Sequence, residues 1–355
     1  MNQHETYMRR CLELAEKGFG HTAPNPMVGA LLLHSNDIIG EGFHQEYGKA
    51  HAEVNAINNV NDKSLLPEST LYVSLEPCNH QGKTPPCTEL IIESGIKKVV
   101  IGTTDSHSIV NGRGIENLTL HGIEVIAGVL ENECRQVNRR FFTFHENKRP
   151  YIILKWAQTK DYFLDRIRKV NDPQQPNWII PESLRTMVHK WRSEEQAILV
   201  GSKTVLCDNP MLTTRLWPGK NPLRIVLDPD TILPESLQIF SEEAQTLVYS
   251  KSSKLYNQSN IVSRTLPFGS ELARQMLDDL HSRRIQSLIV EGGLQTLQLF
   301  IENNLWDEAR IFTGSLSFKE GIPAPKIFGK KIESRSFESA SLDILINSSN
   351  TFFDK

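Results

Sequence analysis

The sequence contains few cysteines and no long apolar segment. Its 355 residues include five cysteines, Cys11, Cys78, Cys87, Cys134 and Cys207. So sparse and odd-numbered a set argues against a disulfide framework and favours reduced thiols, some of which can bind metal. No apolar run approaches the roughly 18–20 residues that a membrane span requires. The N-terminal stretch MNQHETYMRRCLELAEKG lacks the apolar core of a signal peptide, so we expect a cytoplasmic protein that does not bind membranes.

An excess of positive charge is lacking too. Lysine and arginine number 39 against 42 aspartates and glutamates, which gives a net charge of −3. Without a large positive field, a dedicated nucleic-acid-binding protein is disfavoured. Hydrophobic residues at 39% and charged residues at 23% are ordinary for a globular protein and exclude a wholly disordered chain. The length favours two domains.

The order of elements in the first half predicts an α/β domain. Residues 3–17 carry apolar side chains at helical spacing, and two apolar runs at 28–33 and 38–40 flank a polar turn that is typical of a hairpin. From about residue 70, predicted strands alternate with predicted helices. This alternation is typical of parallel βαβ units.

A polar segment at 145–150, which ends in a proline, separates the two halves. It follows a predicted helix through Cys134–Phe144 and precedes the apolar strand YIILKWA. We therefore expect one domain over residues 1–147 and a second over residues 148–355. In the second domain a helix is expected to begin near Pro181. Buried strands are predicted within residues 196–201, 223–228, 246–250 and 287–293.

Three residues of the first half have the chemistry of a catalytic zinc site. His51 opens one predicted helix, Cys78 follows a predicted strand, and Cys87 opens a second helix. One imidazole and two thiolates leave a fourth tetrahedral position open to water, as in catalytic zinc sites. Glu53, two residues after His51, is placed to exchange a proton with that water without binding the metal.

Each of these residues also has a plainer interpretation. Cys78 and Cys87 suit a buried apolar core and His51 a hydrogen-bonded core position, which is the usual outcome for such residues taken singly. The combination of H-A-E, E-P-C and a further cysteine favours the metal site, because H-x-E with P-C is a signature of zinc deaminases. The eight residues between the two cysteines exceed the gap in that signature. For Cys11, Cys134 and Cys207 the core interpretation stands.

The sequence motifs around His51, Cys78 and Cys87 point to one family of deaminases. APNPMVGA, GFHQEYGKAHAEVNA and EPCNHQGKTPPCTELI resemble the deaminase domain of the RibD/RibG family of bifunctional riboflavin-biosynthesis enzymes, and the long gap between the cysteines is that family's own variant. The resemblance implies a cytidine-deaminase-like three-layer fold, with His51, Cys78 and Cys87 on zinc and Glu53 as the proton carrier. It also implies the substrate, 2,5-diamino-6-ribosylamino-4(3H)-pyrimidinone 5′-phosphate, whose ring amine is replaced by oxygen.

The resemblance also implies substrate contacts in the first half. The residues concerned are Asn25, His44, His80, Lys83 and Thr84. The amide of Asn25 can donate to and accept from a pyrimidine edge, and Lys83 can neutralise a phosphate. Their plainer interpretations are a turn residue beside prolines and a solvated loop charge. The family's D-P-N-P is here Asp105-Ser106-His107-Ser108, so this loop lacks the prolines that stiffen it.

The second half resembles the reductase domain of the same family. The motifs are LKWAQTKD, HKWRSEEQAILVGSKTVLCDNPMLTTR, PLRIVLD and LIVEGGLQTLQLFI. No G-x-G-x-x-G follows a strand in residues 150–355, so a standard dinucleotide fold is unsupported. The resemblance implies instead a dihydrofolate-reductase-like fold. It also implies hydride transfer from NADPH, which opens the ribosyl group to a ribityl chain.

The resemblance implies two sets of ligand-binding residues in this half, one for the cofactor and one for the substrate. The cofactor-binding set is Ala157, Trp178, Thr204, Asp208, Gly293, Leu294, Gln295, Thr296, Leu297, Gln298 and Leu299. The substrate-binding set is Lys155, Arg192, Leu212, Arg215 and Glu291. Arginines suit a sugar phosphate, and glycines after a strand let a helix N-terminus face a pyrophosphate. Solvated salt bridges and an ordinary strand-to-helix turn are the plainer alternatives.

Two departures from the family pattern bear on the reductase. The family's S-L-D-G is here Thr159-Lys160-Asp161-Tyr162, so a tyrosine stands where a glycine would accept a positive φ. Pro176 replaces a serine two residues before Trp178, which removes a hydrogen-bond donor. We expect these changes to slow the reduction or to rearrange its substrate contacts.

Three functions compete on this sequence. The first is a bifunctional riboflavin-biosynthesis enzyme with Zn2+ and NADPH, which acts on small pyrimidine ribosyl phosphates, binds no nucleic acid and forms a homo-oligomer. The second is a nucleic-acid or nucleoside deaminase whose C-terminal half is a non-catalytic binding domain, which the acidic balance disfavours. The third is a non-enzymatic zinc protein, which would tolerate the loss of Glu53.

Overall fold

The chain divides into two units. A computed structural model describes residues 2–79, 85–106, 112–169, 172–350 and 352. The first unit is Met1–Lys148 with Phe352–Lys355, and the second is Arg149–Thr351. Within the described residues, no helix combines the length and the apolar character that a membrane crossing demands.

The first unit is built on a sheet of five described strands. They are β1 (Gly29–His34), β2 (Asp37–Phe43), β3 (Thr70–Leu75), β4 (Lys98–Thr103) and β5 (Glu124–Ala127). Their order is β2-β1-β3-β4-β5; β1 is antiparallel to β2 and β3, and the last three strands are parallel. The helices are α1 (Gln3–Glu16), α2 (Ala52–Asn58), α3 (Cys87–Glu93), α4 (Arg113–Leu120), α5 (Glu131–Val137) and α6 (Arg139–Glu146), and a 3-10 helix covers Lys63–Glu68.

Both faces of this sheet are covered. Ala30 and Leu32 of β1 pack in one apolar cluster with side chains of α2, while Leu31 and Leu33 pack in another with Met8 of α1. Successive side chains of a strand point to opposite faces, so a strand whose side chains are buried on both faces needs cover on both sides. The result is the predicted arrangement of helix, sheet and helix layers.

The second unit is built on a larger, mainly parallel sheet. The strands of the unit are β6 (Tyr151–Gln158), β7 (Phe163–Asp165), β8 (Ala197–Gly201), β9 (Leu223–Leu227), β10 (Thr246–Ser250), β11 (Ile261–Thr265), β12 (Ser287–Val290), β13 (Glu308–Gly314), β14 (Ile322–Pro323), β15 (Lys330–Ser336) and β16 (Ala340–Ile346), and all but β7 and β14 belong to this sheet. Its helices are α7 (Glu182–Glu194), α8 (Ser202–Asp208), α9 (Leu272–Ser282) and α10 (Leu294–Glu302), with a 3-10 helix at Gln238–Phe240. The four strands predicted from apolar runs in residues 196–293 are confirmed.

The strand order of this sheet places β8, β12 and β6 side by side. The order is β11-β10-β9-β8-β12-β6-β13-β16-β15, and β7 pairs separately with β14. All pairs from β11 to β13 are parallel, whereas β16 is antiparallel to β13 and β15. Because β8, β12 and β6 are neighbours and parallel, the residues that follow them meet at one edge of the sheet.

The helix predicted through Cys134–Phe144 is two helices, so the single-helix prediction was wrong. Asn138 stands between α5 and α6 with φ −97° and ψ 22°. Its buried side chain accepts a hydrogen bond from the backbone N–H of Met27 at 2.8 Å and donates to the backbone oxygen of Met27 at 2.8 Å. These bonds hold Asn138 outside helical geometry, and Met27 lies 111 positions earlier in the chain.

Tyr162 adopts the left-handed backbone conformation expected for a glycine. Its φ is +65°, and its side chain is 66% exposed. The neighbouring Asp161 carboxylate accepts from the Thr159 hydroxyl at 2.6 Å and from the backbone N–H groups of Phe318 and Lys319 at 3.2 and 2.8 Å. These bonds hold the turn, so the tyrosine bears a conformational cost that a glycine would not.

We predict that Tyr162→Gly raises the free energy of unfolding of the second unit by about 0.5–1 kcal/mol. The left-handed conformation costs an L-residue roughly 1–2 kcal/mol, and the greater freedom of an unfolded glycine offsets roughly 0.5–1 of this. Denaturant unfolding followed by tryptophan fluorescence measures the change. Tyr162→Ala is the matched control, because alanine keeps the Cβ atom; equal stability of the two variants would contradict a strained turn.

Candidate active sites

The first unit brings His51, Cys78 and Cys87 together. His51 directly precedes α2, Cys78 follows β3, and Cys87 is the first residue of α3. Their ligand atoms lie within 4.8 Å of one another, and His51 Nδ1 is 3.3 Å from Cys87 Sγ and 3.5 Å from Cys78 Sγ. A tetrahedral zinc ion with bonds of roughly 2.0–2.3 Å sets its ligands about 3.3–3.8 Å apart. The donor set and its spacing therefore fit zinc.

The Cys78 thiol is prepared to ionise. A hydrogen bond from the Cys87 side chain lowers the pKa of Cys78 to about 4, and the backbone N–H of Cys87 also donates to Cys78 Sγ at 3.4 Å. The hydrogen bond between His51 and Cys78 raises the pKa of His51. Because the thiolate is the form that binds metal, this environment favours ligation by Cys78.

Glu53 lies in the first turn of α2 and is 3% exposed. Burial, reinforced by the negative charge of Cys78, raises the pKa of Glu53 to about 7. A carboxyl group that titrates near neutral pH can accept a proton and release it within one catalytic cycle. Glu53 is outside the group of metal-ligating atoms, which leaves its carboxylate available for that exchange.

Asn25 and His44, two of the predicted substrate residues, lie beside this cluster. The His44 ring meets the His51 ring edge-on, with 5.3 Å between centroids. His44 Nδ1 is 3.0 Å from the Ala50 backbone oxygen, so Nδ1 carries the proton, and Nε2 then accepts from Asn25 Nδ2 at 3.1 Å. Burial lowers the pKa of His44. A neutral His44 therefore orients the Asn25 amide.

The three remaining predicted contacts of the deaminase half are His80, Lys83 and Thr84, which lie outside the described residues.

Glu76 of the E-P-C motif, to which sequence reasoning assigned no role, anchors the loop beside the zinc ligands. Its buried carboxylate accepts four backbone N–H bonds, from Asp105 at 3.1 Å, Gly112 at 2.9 Å, Gly114 at 2.8 Å and Ile115 at 3.2 Å. Glu76 thus ties the end of β3 to the first turn of α4.

In the second unit, Lys155, Arg192 and Glu291 form a buried cluster of charges. Arg192 Nη2 donates to Glu291 Oε2 at 2.9 Å, and Lys155 Nζ lies 3.9 Å from Glu291 Oε1. Burial alone would raise the pKa of Glu291, but the two cations outweigh it and lower that pKa to about 2. Burial also lowers the pKa of Lys155. At neutral pH Glu291 is therefore an ionised anchor for cations rather than a proton donor.

The other two predicted substrate residues of this unit differ in exposure. Arg215 is exposed, whereas Leu212 is buried within an apolar core cluster and has a φ of +56°. Since the Leu212 side chain packs into the core, its backbone is the part that can meet a ligand.

Two of the predicted cofactor residues, Thr204 and Gly293, meet beyond the ends of β8 and β12. The backbone N–H of Gly293 donates to Thr204 Oγ1 at 2.8 Å, which joins the start of α10 to α8. A Cβ atom on Gly292 would lie 2.7 Å from the backbone nitrogen of Gly201, so this turn requires a glycine there. Within the run Gly293–Leu299, Thr296 and Leu297 have buried side chains.

Asp208, another predicted cofactor residue, contacts an arginine that sequence reasoning missed. Arg168 donates to Asp208 at 2.6 Å and to Asp165 at 2.7 Å, so it holds the end of α8 against β7. Trp178 is 51% exposed, with the Arg185 guanidinium 4.1 Å from its ring centroid. Ala157 is half-buried in β6. No local pattern pairs Arg168 with Asp208, because 40 positions separate them.

Comparison with known proteins places these two sites in a family. The model of the cytidine and deoxycytidylate deaminase zinc-binding region matches residues 1–103, and the RibD C-terminal domain model matches residues 150–343. The riboflavin biosynthesis protein RibD of Aquifex aeolicus is 40% identical over 333 residues, which cover 93% of this chain and 92% of that protein. RibD of Bacillus amyloliquefaciens is 36% identical, with coverages of 93% and 89%. The chain belongs to the RibD family.

A solved structure of this family agrees with the fold. One such structure is the crystal structure of a diaminohydroxyphosphoribosylaminopyrimidine deaminase/5-amino-6-(5-phosphoribosylamino)uracil reductase from Thermotoga maritima. It superposes on this chain with a TM-score of 0.87 at 38% sequence identity, and the matched region covers 97% of this chain and 98% of the Thermotoga maritima chain. The predicted cytidine-deaminase-like and dihydrofolate-reductase-like domains are confirmed.

Membership of the RibD family decides between the competing functions. The chain is a bifunctional enzyme of riboflavin biosynthesis, a deaminase and a reductase, and its cofactors are Zn2+ and NADPH. These predictions are confirmed, and the enzyme is favoured over a nucleic-acid deaminase with a non-catalytic second half. Small pyrimidine compounds fit this function as substrates.

We predict that Glu53→Gln retains zinc and loses deamination by about 100–10,000-fold, because an amide cannot carry the proton that the reaction moves. Metal analysis and ammonia release from the pyrimidine substrate measure the two properties. Glu16→Gln, at the exposed end of α1, is the control and should retain both. Loss of zinc from Glu53→Gln would contradict the separation of metal ligands from proton carrier.

We also predict that Glu76→Gln loosens the first turn of α4. A charged acceptor contributes roughly 1.5–3 kcal/mol per hydrogen bond, and the amide NH2 of glutamine would face N–H groups. Amide hydrogen exchange at Gly114 and Ile115 should accelerate at least about tenfold. The exposed Glu68→Gln should leave these rates unchanged, and the same slow exchange in both variants would show that the four bonds do not hold this turn.

Proposed function

We propose that residues 1–147 deaminate 2,5-diamino-6-ribosylamino-4(3H)-pyrimidinone 5′-phosphate and that residues 148–355 then reduce its ribosyl group to ribityl. The observation that carries this proposal is the presence of two chemically different clusters of side chains, one in each unit. His51, Cys78 and Cys87 with Glu53 suit hydrolytic deamination. The cations held by Glu291 suit a sugar phosphate.

In the deamination we assign His51, Cys78 and Cys87 to zinc, which when bound supplies an activated water. The Glu53 carboxylate takes the proton from the attacking water and gives it to the leaving amine, and the burial that raises its pKa suits a group that must carry a proton. Asn25 meets the pyrimidine edge, because its Nδ2 is bound to His44 and its Oδ1 can accept from a substrate amine. His80, Lys83 and Thr84 complete the substrate contacts of this assignment.

In the reduction NADPH supplies the hydride, and this chain supplies position and charge. We assign the cofactor to a surface formed by the strand ends, α8 and the start of α10, with the residues Ala157, Trp178, Thr204, Asp208 and Gly293–Leu299. Lys155 reaches the ribosyl group, Arg192 and Arg215 bind the phosphate, and Leu212 borders the substrate. Glu291 keeps Lys155 and Arg192 in place through the ion pairs described above.

We further propose that the enzyme works in the cytoplasm as a homo-oligomer and binds no nucleic acid. The net charge of −3 supports the last point, because small phosphates can be held by a few local cations without a basic surface.

A coupled assay tests the two-site assignment by following ammonia release and NADPH oxidation separately. We predict that Lys155→Met keeps ammonia release within about twofold and lowers NADPH oxidation at least about tenfold, since a buried cation is lost beside Glu291. Lys326→Met, an exposed lysine of the same unit, is the control. Equal loss of both reactions in Lys155→Met would refute the assignment, and a zinc-loaded wild type that releases no ammonia would overturn the proposed function.

A further inference from the structure

His189 lies among the charges of the reductase cluster and has no role in the assignment above. It is on α7, one turn before Arg192, and is 3% exposed. Three elements direct charged groups at its imidazole: α7 with Arg192, the segment after α8 with Arg215, and the end of β12 with Glu291. Lys155 of β6 faces the same carboxylate.

Four buried atoms in this place have no hydrogen-bond partner. They are His189 Nδ1, Arg192 Nε, Thr213 Oγ1 and Glu291 Oε1. Each buried polar group left unpaired costs roughly 1–3 kcal/mol, and folded proteins leave few of them. Four such atoms around one cluster, within the part of the chain that the structure describes, indicate a site that a polar ligand completes.

The charge of the cluster points to an anionic ligand. Lys155, Arg192 and Arg215 face the carboxylate of Glu291 at this place. Arg215 also interacts with Arg185 and with the carboxylate of Glu243, so cations outnumber anions around the cluster. Burial and the two arginines lower the pKa of His189 to about 4, which keeps the imidazole uncharged while these groups alone surround it. A phosphate dianion would balance the excess.

We propose that His189 is a further substrate-binding residue of the reductase, which contacts the substrate phosphate beside Arg192 and Arg215 and takes up one proton from solvent as the dianion binds. The inference rests on the proposed function of the second unit. A dianion beside the ring offsets the field of the arginines and favours the charged imidazole. Binding is then strengthened below the pKa of His189 in the complex, and this gain is lost as the pH rises through that value.

Sulfate is the probe that separates a proton on the protein from one on the ligand. It keeps its charge between about pH 5.5 and 7.5, whereas a phosphate monoester titrates near pH 6. We would measure the competitive inhibition constant of sulfate against the deaminated substrate, following NADPH oxidation by the zinc-loaded enzyme. If the imidazole in the complex has its ordinary pKa of about 6.5, this constant falls about tenfold from pH 7.5 to 5.5.

Two variants isolate His189 from other titrating groups. His189→Gln keeps a polar side chain that cannot become charged, and its inhibition constant should change less than about twofold over the same range. His281→Gln, in the last turn of α9, is the matched control and should follow the wild type. His189→Asn repeats the measurement in case the glutamine variant does not fold.

The outcomes are distinct. A wild-type inhibition constant that does not change with pH overturns the role of His189 without any variant, and so does an equal pH dependence in wild type and His189→Gln. A wild type that oxidises no NADPH overturns instead the reductase function on which the inference rests. A pH dependence that is present in wild type and His281→Gln but absent from the His189 variants supports the inference.

Discussion

Two carboxyl groups that are shielded from water, Glu53 and Glu291, respond in opposite ways to their nearest charges. Burial raises the pKa of Glu53 to about 7 with help from the negative Cys78, whereas Arg192 and Lys155 overcome the same effect of burial and lower the pKa of Glu291 to about 2. A proton carrier needs the first environment, and a permanent anchor for cations needs the second. The chemistry of each unit thus depends on which charge the fold places beside a buried carboxylate.

Parallel strands make that placement possible. In the second unit β6 and β12 are adjacent, so Lys155 and Glu291 approach each other although 136 residues separate them, and α7 brings Arg192 to the same edge. In the first unit β3 ends just before Cys78, and Glu76 ties the loop after its neighbour β4 to that end. In both sites a functional residue follows the carboxyl end of a parallel strand, Cys78 after β3 and Glu291 after β12, which is where α/β folds gather side chains, and Lys155 joins Glu291 from within β6.

Residues close together in the chain account for most of what could be predicted from sequence. His51 and Glu53 are two positions apart and E-P-C is followed by Cys87, so the zinc chemistry could be predicted before the fold was known. Contacts between residues far apart in the chain were missed, because no local sequence pattern indicates which residues will meet. Examples are the contacts of Asn138 with Met27 and of Arg168 with Asp208. The role of Glu76 was missed for a related reason, since its partners are backbone N–H groups, which every residue except proline carries.

Tyr162 shows why a departure from a family pattern need not displace a site. The conformation of its turn is imposed from outside, by Asp161 and the groups that donate to its carboxylate. A residue held in this way adopts a left-handed backbone whatever its side chain, at a cost of roughly 1–2 kcal/mol. The glycine of the family pattern therefore lowers the energy of this turn without being needed to form it. The change at Pro176 is of another kind, because proline offers neither a side-chain hydroxyl nor a backbone N–H as a donor.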